Sequence, residues 1–253
     1  MKYVVCIVAV APLRKEASHR TEIVSELLLG EFAELLESNG DFMLVRCLYD
    51  GYEGWCQRTQ LAESLLPVDT KRFTGDAIQH IIVNLQPCRV SCATPVYLTE
   101  EELQYGKFTL QYKGTDSIDA STFQFIPSNI KLITQLYLNT PYLWGGKSVF
   151  GIDCSGFTQQ VFKLFAVKLQ RDAWQQAEAG EAVGFLQEVQ CGDLAFFDNA
   201  DGRITHVGIL LNSEEIIHAS GKVRIDKIDN AGIINSDTGE RTQNLRLLKR
   251  YKK

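Results

Sequence analysis

The chain has 253 residues, of which 45% are hydrophobic and 23% charged, and its formal net charge is -5. That length holds one large domain or two to three small ones, and the balance is that of a globular protein. The slight acidic excess gives no footprint for nucleic acid or anionic membrane, and no apolar run approaches the eighteen or so residues that span a bilayer.

The first predicted elements are short strands. YVVCIVAVA (3–11), EFAELLES (31–38), FMLVRCLY (42–49) and GYEGWCQ (51–57) are separated by polar or glycine-bearing turns such as SNGD and YDGYEG. Several short strands so close together predict a small β-barrel over residues 1–67. The opening MKYVVCIVAVAPLRKEA faintly imitates a signal peptide, but its apolar stretch is about half a normal h-region, and its Val and Ile content predicts a first strand instead. Seven cysteines are an odd number without framework spacing, which points to free thiols and a cytoplasmic protein. Cys88 and Cys92 lack a second matching pair, so no metal is assigned to them.

Pro67 to Asp76 reads as a linker. Residues 77–126 return to β character in AIQHIIVNL, CRVSCATPVYL and KFTLQYKG, which predicts a second, degenerate barrel or a connecting β region. The acidic run TEEEL at 99–103 reads as solvated surface. Pro127 then opens a different regime, residues 127–253, with a helical pattern in SNIKLITQLYL. The glycine-rich TPYLWGGKSVF (140–150) leads into GIDCSGFTQQVF (151–162), where Phe157, Val161, Leu164 and Phe165 fall on one helical face. Asp153 is placed to cap this helix, which puts Cys154 at its first turn, where the helix dipole and unpaired N–H groups favour a thiolate. The alternative is a buried structural cysteine.

Beyond RDAWQQAEAG come the strand-like runs DLAFFDN, RITHVGILL and EEIIHASG. A nucleophile helix followed by an antiparallel sheet is an α+β layout. Two of the four histidines, His206 and His218, fall in adjacent strands. If Leu210 pairs with Glu214 across a three-residue loop, or a five-residue loop keeps that register, His206 lies directly opposite His218, with Cβ atoms about 4.5–5.5 Å apart, so that one ring can orient the other as a base and its orienting group require. Zinc held by Cys154, His206 and His218 is the chemical alternative.

Taken together, YLWGGKSVFGIDCSGF, RDAWQQ, GDLAFF, ITHVGILL and IIHASG resemble the NlpC-type cell-wall peptidases, a papain-like cysteine peptidase family, over residues 127–253. TEIVSELLLGEFAELLESNGDFMLVRCLYDGYEGW is similar to the bacterial SH3-like barrels that precede the catalytic domain in the γ-D-glutamyl-L-diamino acid endopeptidases. The resemblance implies that Cys154 is the nucleophile, His206 the general base and His218 the polar residue that orients it. It also implies that Tyr142 and Trp144 line the site, with Asp153 and Ser155 beside the nucleophile among the substrate-contacting positions. It assigns Asp172 to the α-ammonium of a murein peptide, although the serine that often follows in relatives is Ala173 here. Tyr52 and a glutamate of the first barrel, Glu22 in preference to Glu26, are expected to complete that recognition. The function implied is hydrolysis of the γ-D-Glu–diamino acid bond of small murein peptides with a free N-terminal L-Ala, in cell-wall peptide recycling. No cofactor, metal, nucleic acid or membrane partner is expected. Two alternatives remain: a secreted peptidoglycan hydrolase with wall-targeting barrels, and a non-catalytic binding protein of the same fold.

Overall fold

A computed structural model describes residues 2–97, 102–112 and 114–251, so the acidic run at 99–103 falls largely outside the described residues. The chain forms two compact units. One comprises residues 1–122 together with 143–151, and the other comprises 123–142 and 152–253.

The first unit begins with β1 (Tyr3–Cys6), β2 (Val10–Arg14), β3 (Ile23–Leu28), β4 (Phe32–Asn39), β5 (Phe42–Cys47), β6 (Glu53–Gln57) and β7 (Leu61–Ser64). They form one antiparallel sheet in the order β3-β2-β6-β5-β4-β1-β7. The expected first strand over 3–11 is in fact two. The chain turns at residues 7–9, where Ile7 N–H donates to Gln60 O and Ala9 O accepts from Leu29 N–H. β3, which the sequence reading did not separate, pairs with β2. The β4–β5 hairpin turns on Gly40 and Asp41, with Gly40 at φ +55°, a conformation open to glycine without steric cost. Val4, Cys6, Leu13, Leu27, Val45 and Cys56 fill the core.

Next come β8 (Arg72–Phe73), β9 (Ile78–Val83), β10 (Gln86–Ser91), β11 (Leu103–Tyr105), β12 (Phe108–Gln111) and β13 (Ile118–Asp119). β9 to β12 make a four-stranded sheet in the order β10-β9-β12-β11, and β8 pairs with β13. This sheet shares a core with the first one. Val5, Ile7, Leu29 and Phe32 pack in one cluster with Ile81, Val90, Tyr97, Tyr105, Leu110 and Tyr112. The stretch expected as a linker therefore joins two sheets over common apolar side chains, and part of it, β8, is itself paired. Gly30, at φ +79°, lets this close approach happen: a Cβ there would lie 2.8 Å from the Tyr112 hydroxyl, while Tyr97 donates to Gly30 O at 2.8 Å.

The second unit contains α1 (Pro127–Leu136) and, after the short strands β14 (Lys147–Ser148) and β15 (Gly151–Ile152), α2 (Cys154–Lys163) and α3 (Ala173–Glu178). Its strands are β16 (Glu181–Val183), β17 (Leu194–Asp198), β18 (Ile204–Leu210), β19 (Glu215–Ser220), β20 (Lys222–Asp229), β21 (Gly232–Ile234) and β22 (Arg241–Arg250). The order is β16-β22-β17-β18-β19-β20-β21, and β22 also pairs with β21. The six strands β17 to β22 thus close into an antiparallel barrel, with β16 attached outside. Ala195, Phe197, Leu210, Ile216, Ile228, Ile233 and Leu248 form a core cluster of this sheet. α2 and α3 pack on β18. Among the described residues, no helix is long and apolar enough to cross a membrane.

Candidate active site

Cys154 is the first residue of α2, and Asp153 caps the helix by accepting the Gly156 N–H on Oδ1 at 2.7 Å. The cap is held from behind by Arg171. Its Nη1 donates to Asp153 Oδ1 (3.0 Å) and Ser155 Oγ (2.9 Å), and its Nη2 lies 2.5 Å from Asp153 Oδ2, all of it buried. Asp153 and Ser155, expected among the substrate-contacting positions, are turned inward to this guanidinium and fix the start of the nucleophile helix. The Cys154 thiol takes hydrogen bonds from the backbone N–H groups of Val207 and Ser155, which places it against β18 beside His206. Burial, with the Asp153 charge adding to it, pushes the thiol up to about 12 against the pull of those N–H groups and Arg171.

His206 and His218 meet, but not in the expected register. The partner of His218 is Gly208, and Leu210 faces Ile216 across a five-residue loop, so His206 lies one diagonal step away. The missing side chain of Gly208 makes the contact possible. A Cβ there would lie 2.9 Å from His218 Cβ and 2.7 Å from Ile216 Cδ1, so the Gly208–His218 pair leaves no room for even an alanine on β18. The ring reaches His206, whose Nε2 is 2.9 Å from His218 Nδ1. On β18 a bulge beside His206 leaves Thr205 as an extra residue between the pairs Phe197–His206 and Asp198–Ile204, a common device for re-aiming a side chain. Burial, followed by the neighbouring His218, holds His206 well below its ordinary value. Burial thus favours a neutral thiol and a neutral imidazole in the site as it stands.

Two residues of this cluster escaped the sequence reading. His218 Nε2 lies 3.1 Å from Asp226 Oδ2, and Arg224 Nη2 donates to Asp226 Oδ1 at 2.9 Å. Both come from β20, which KVRIDKID presents as an alternation of charged and apolar residues typical of a surface strand. The signal was the single residue Gly221 between β19 and β20. Counting back from it puts Arg224 opposite His218 and Asp226 two residues further along the same face.

The other expected residues divide between the two units. Tyr142 is half-buried in the second; burial, Cys154 and Asp153 push its hydroxyl up, so it is a protonated donor at neutral pH. Asp172 is half-buried as the N-cap of α3, where Gln175 Oε1 accepts its N–H at 3.2 Å. In the first unit the exposed Trp144 donates from Nε1 to Glu22 Oε1 at 2.7 Å, while the rival Glu26 is buried and accepts the Lys147 N–H at 2.6 Å. Gly145 lets this segment pass: at φ +81°, its Cβ would stand 2.4 Å from Ile23 O. Tyr52 belongs to the β5–β6 turn, where its N–H donates to Asp50 Oδ1 at 3.0 Å. A zinc site gains no support, because both nitrogens of His218 are already hydrogen-bonded, and no group of three or more metal-ligating side chains occurs among the described residues.

The NlpC/P60 family profile matches residues 139–242, and a bacterial dipeptidyl-peptidase SH3 domain profile matches 13–61. A γ-D-glutamyl-L-lysine dipeptidyl-peptidase of Bacillus cereus is 36% identical over 88% of this chain and 76% of its own length. The chain belongs to the NlpC/P60 family. As an NlpC/P60 protein with an SH3-like domain it is a cysteine peptidase, of α+β fold. The γ-D-glutamyl-L-lysine dipeptidyl-peptidase of Bacillus subtilis is 29% identical over 78% of this chain and 72% of that protein. The crystal structure of an NlpC/P60 family protein from Bacillus cereus shares the fold, with a TM-score of 0.78 at 21% identity over 98% of this chain and 99% of the other.

Proposed function

We propose that this NlpC/P60 peptidase hydrolyses the γ-D-Glu–diamino acid bond of murein peptides that carry a free N-terminal L-Ala, and so serves the recycling of cell-wall peptides in the cytoplasm. The observation that carries the catalytic reading is the cluster itself: Cys154 at a capped helix start against β18, with the His206 ring of that strand hydrogen-bonded to His218 of β19. The substrate class draws on the two γ-D-glutamyl-L-lysine dipeptidyl-peptidases that the chain resembles over most of its length. Seven free thiols fit a reducing compartment.

In this mechanism Cys154 gives its proton to His206 as Sγ attacks the γ-carbonyl carbon of D-Glu. The oxyanion of the tetrahedral intermediate is met by the Tyr142 hydroxyl and by N–H at the start of α2. His206 then protonates the departing amine, the C–N bond breaks, and a thioester remains. Water, deprotonated by His206, releases L-Ala-γ-D-Glu and restores the thiol. Asp172 accepts the substrate's α-ammonium.

The test compares L-Ala-γ-D-Glu-L-Lys with its N-acetylated form. Loss of a charged partner from desolvated acceptors costs about 1–3 kcal/mol or more, and acetylation adds bulk, so kcat/KM should fall at least about a hundredfold. Asp172→Ala should lower the rate on the free peptide and narrow that gap. Cys154→Ala should abolish turnover. Equal rates on both peptides would instead indicate a hydrolase of intact wall, and turnover by Cys154→Ala would end the cysteine mechanism.

A further inference from the structure

Behind the histidines the hydrogen bonding continues in a direction that can be worked out atom by atom. Asp226 Oδ1 accepts from Arg224 Nη2 and from the Ser236 N–H, both at 2.9 Å, and Arg224 Nε lies 2.8 Å from Oδ2. Burial alone would raise this carboxyl, but the bonds from His218, Arg224 and Ser236 outweigh it and hold it well below the usual carboxylate range. A carboxylate can only accept, so the proton in the His218–Asp226 contact sits on His218 Nε2. A neutral His218 then has a bare Nδ1, which must accept from His206 Nε2. That leaves Nδ1 of His206 as the bare nitrogen.

We propose that Asp226, held by Arg224, is a positioning residue for the peptidase reaction: it sets the tautomers of both histidines so that His206 presents an unprotonated Nδ1 as the base. The inference rests on the catalytic reading of Cys154, His206 and His218 above. Arg224 has a second part in it. Its guanidinium, bound also to Asn235 Oδ1 and Asp237 Oδ2 at 2.9 Å each, balances the carboxylate's charge. After His206 takes the thiol proton, its Nε2–H keeps the same acceptor, so no bond in the chain has to reverse during turnover.

The substitution Asp226→Asn separates this role from mere packing. The Ser236 N–H and Arg224 Nη2 both donate to Oδ1, whereas Arg224 Nε lies near Oδ2 without a hydrogen bond to it, so the two donors keep the amide oxygen at the Oδ1 position and send the NH2 toward His218. His218 Nε2 must then become an acceptor, its Nδ1 acquires the proton, and His206 is left with the proton on Nδ1. Long-range 1H–15N NMR of the histidine rings reads this directly in the full chain. In the unsubstituted protein, above the His206 titration, both rings should carry the proton on Nε2; in Asp226→Asn both should carry it on Nδ1. Turnover should fall between about 100-fold and 10⁴-fold in kcat, with KM within about twofold. A bare Nε2 with a protonated Nδ1 on His206 of the unsubstituted protein would overturn the proposal, whether or not the variant folds. So would an Asp226→Asn protein that keeps the original tautomers, or one whose kcat stays within tenfold of the original. If Cys154→Ala were active, the catalytic reading would fail while the ring tautomers stood as measured, which keeps the two failures apart.

Discussion

Cys154 sits at a helix start that favours a thiolate and yet is buried deeply enough that its thiol is held at about 12. Burial wins, because desolvating a charge costs more than a helix dipole and two N–H groups return. His206 is displaced in the matching direction, toward the neutral ring. Alkylation and turnover should then follow different pH profiles. Inactivation by iodoacetamide should quicken by about tenfold per pH unit through the neutral range, since only the thiolate reacts. Turnover should hold below pH 6.5, because the protonated ring that cannot act as base appears only as pH falls through the lowered value of His206. Labelling of the half-buried Cys88 and Cys191 should not cost activity, which mass spectrometry of partly labelled protein will separate from the loss at Cys154. An inactivation rate that stayed flat between pH 6 and 9 would mean a preformed thiolate–imidazolium pair. The pairing of His206 with His218 was legible from alternation in two short strands. The register was not, because nothing in LNSEE marks where the turn begins: Leu210 pairs with Ile216 instead of Glu214, and the two rings meet diagonally.

The helix α2 shows what periodicity can and cannot tell. Phe157 and Val161 are buried, as their spacing predicts, but so are Gln159, Gln160 and Lys163 on the side that a helical wheel assigns to solvent. The stretch 169–178 covers that side and supplies polar partners to part of it, while the buried Gln160 amide finds none among the described residues. Gln159 Nε2 donates to Leu169 O at 3.1 Å, Thr158 Oγ1 to Gln176 Oε1 at 2.7 Å, and Gln176 Nε2 to Ser155 O at 3.0 Å. Leu164 and Phe165 lie past the last helical residue, although they continue its apolar spacing. The same stretch supplies Arg171, whose ion pair with Asp153 is the most buried contact at the helix start. Arg171→Leu should leave an uncompensated carboxylate beneath the nucleophile and cost about 3–5 kcal/mol of stability, read from urea unfolding. The double variant Asp153→Asn, Arg171→Leu should recover most of that, since asparagine still caps and no bare charge remains. A loss under about 1 kcal/mol in the single variant would show that the pair is dispensable. No local pattern in RDAW announces this arginine, because the partner that buries it is eighteen residues away.

At the scale of the whole molecule, composition and strand-like runs set a β-rich N-terminal region apart from an α+β one, but residues 143–151, read with the second, belong to the first compact unit. Those patterns did not reveal how the N-terminal half is built. Pro67 to Asp76 has the look of a linker, with Leu65, Leu66 and Val68 exposed, and a tether between independent domains would be read the same way. The difference lies in side chains far apart in sequence. Val5, Ile7, Leu29 and Phe32 complete a core with Ile81, Tyr97, Tyr105 and Tyr112, and the Phe32 ring meets Tyr97 and Tyr105 edge-on at 6.2 and 5.8 Å. Burying each such side chain is worth roughly 1.5–3 kcal/mol, with about 0.5–1.5 more for each aromatic pair. A protease site engineered into residues 65–69 tests which description holds. Those residues are mostly exposed and form no strand beyond Ser64, so the site should be cut readily. The two pieces should nevertheless elute together in native size-exclusion chromatography and part only in denaturant. Phe32→Ala, which removes the ring at the centre of the shared core, should let the cut pieces separate at a lower urea concentration. Pieces that came apart in native buffer would show that residues 1–67 fold and stand alone, and that the shared core contributes little.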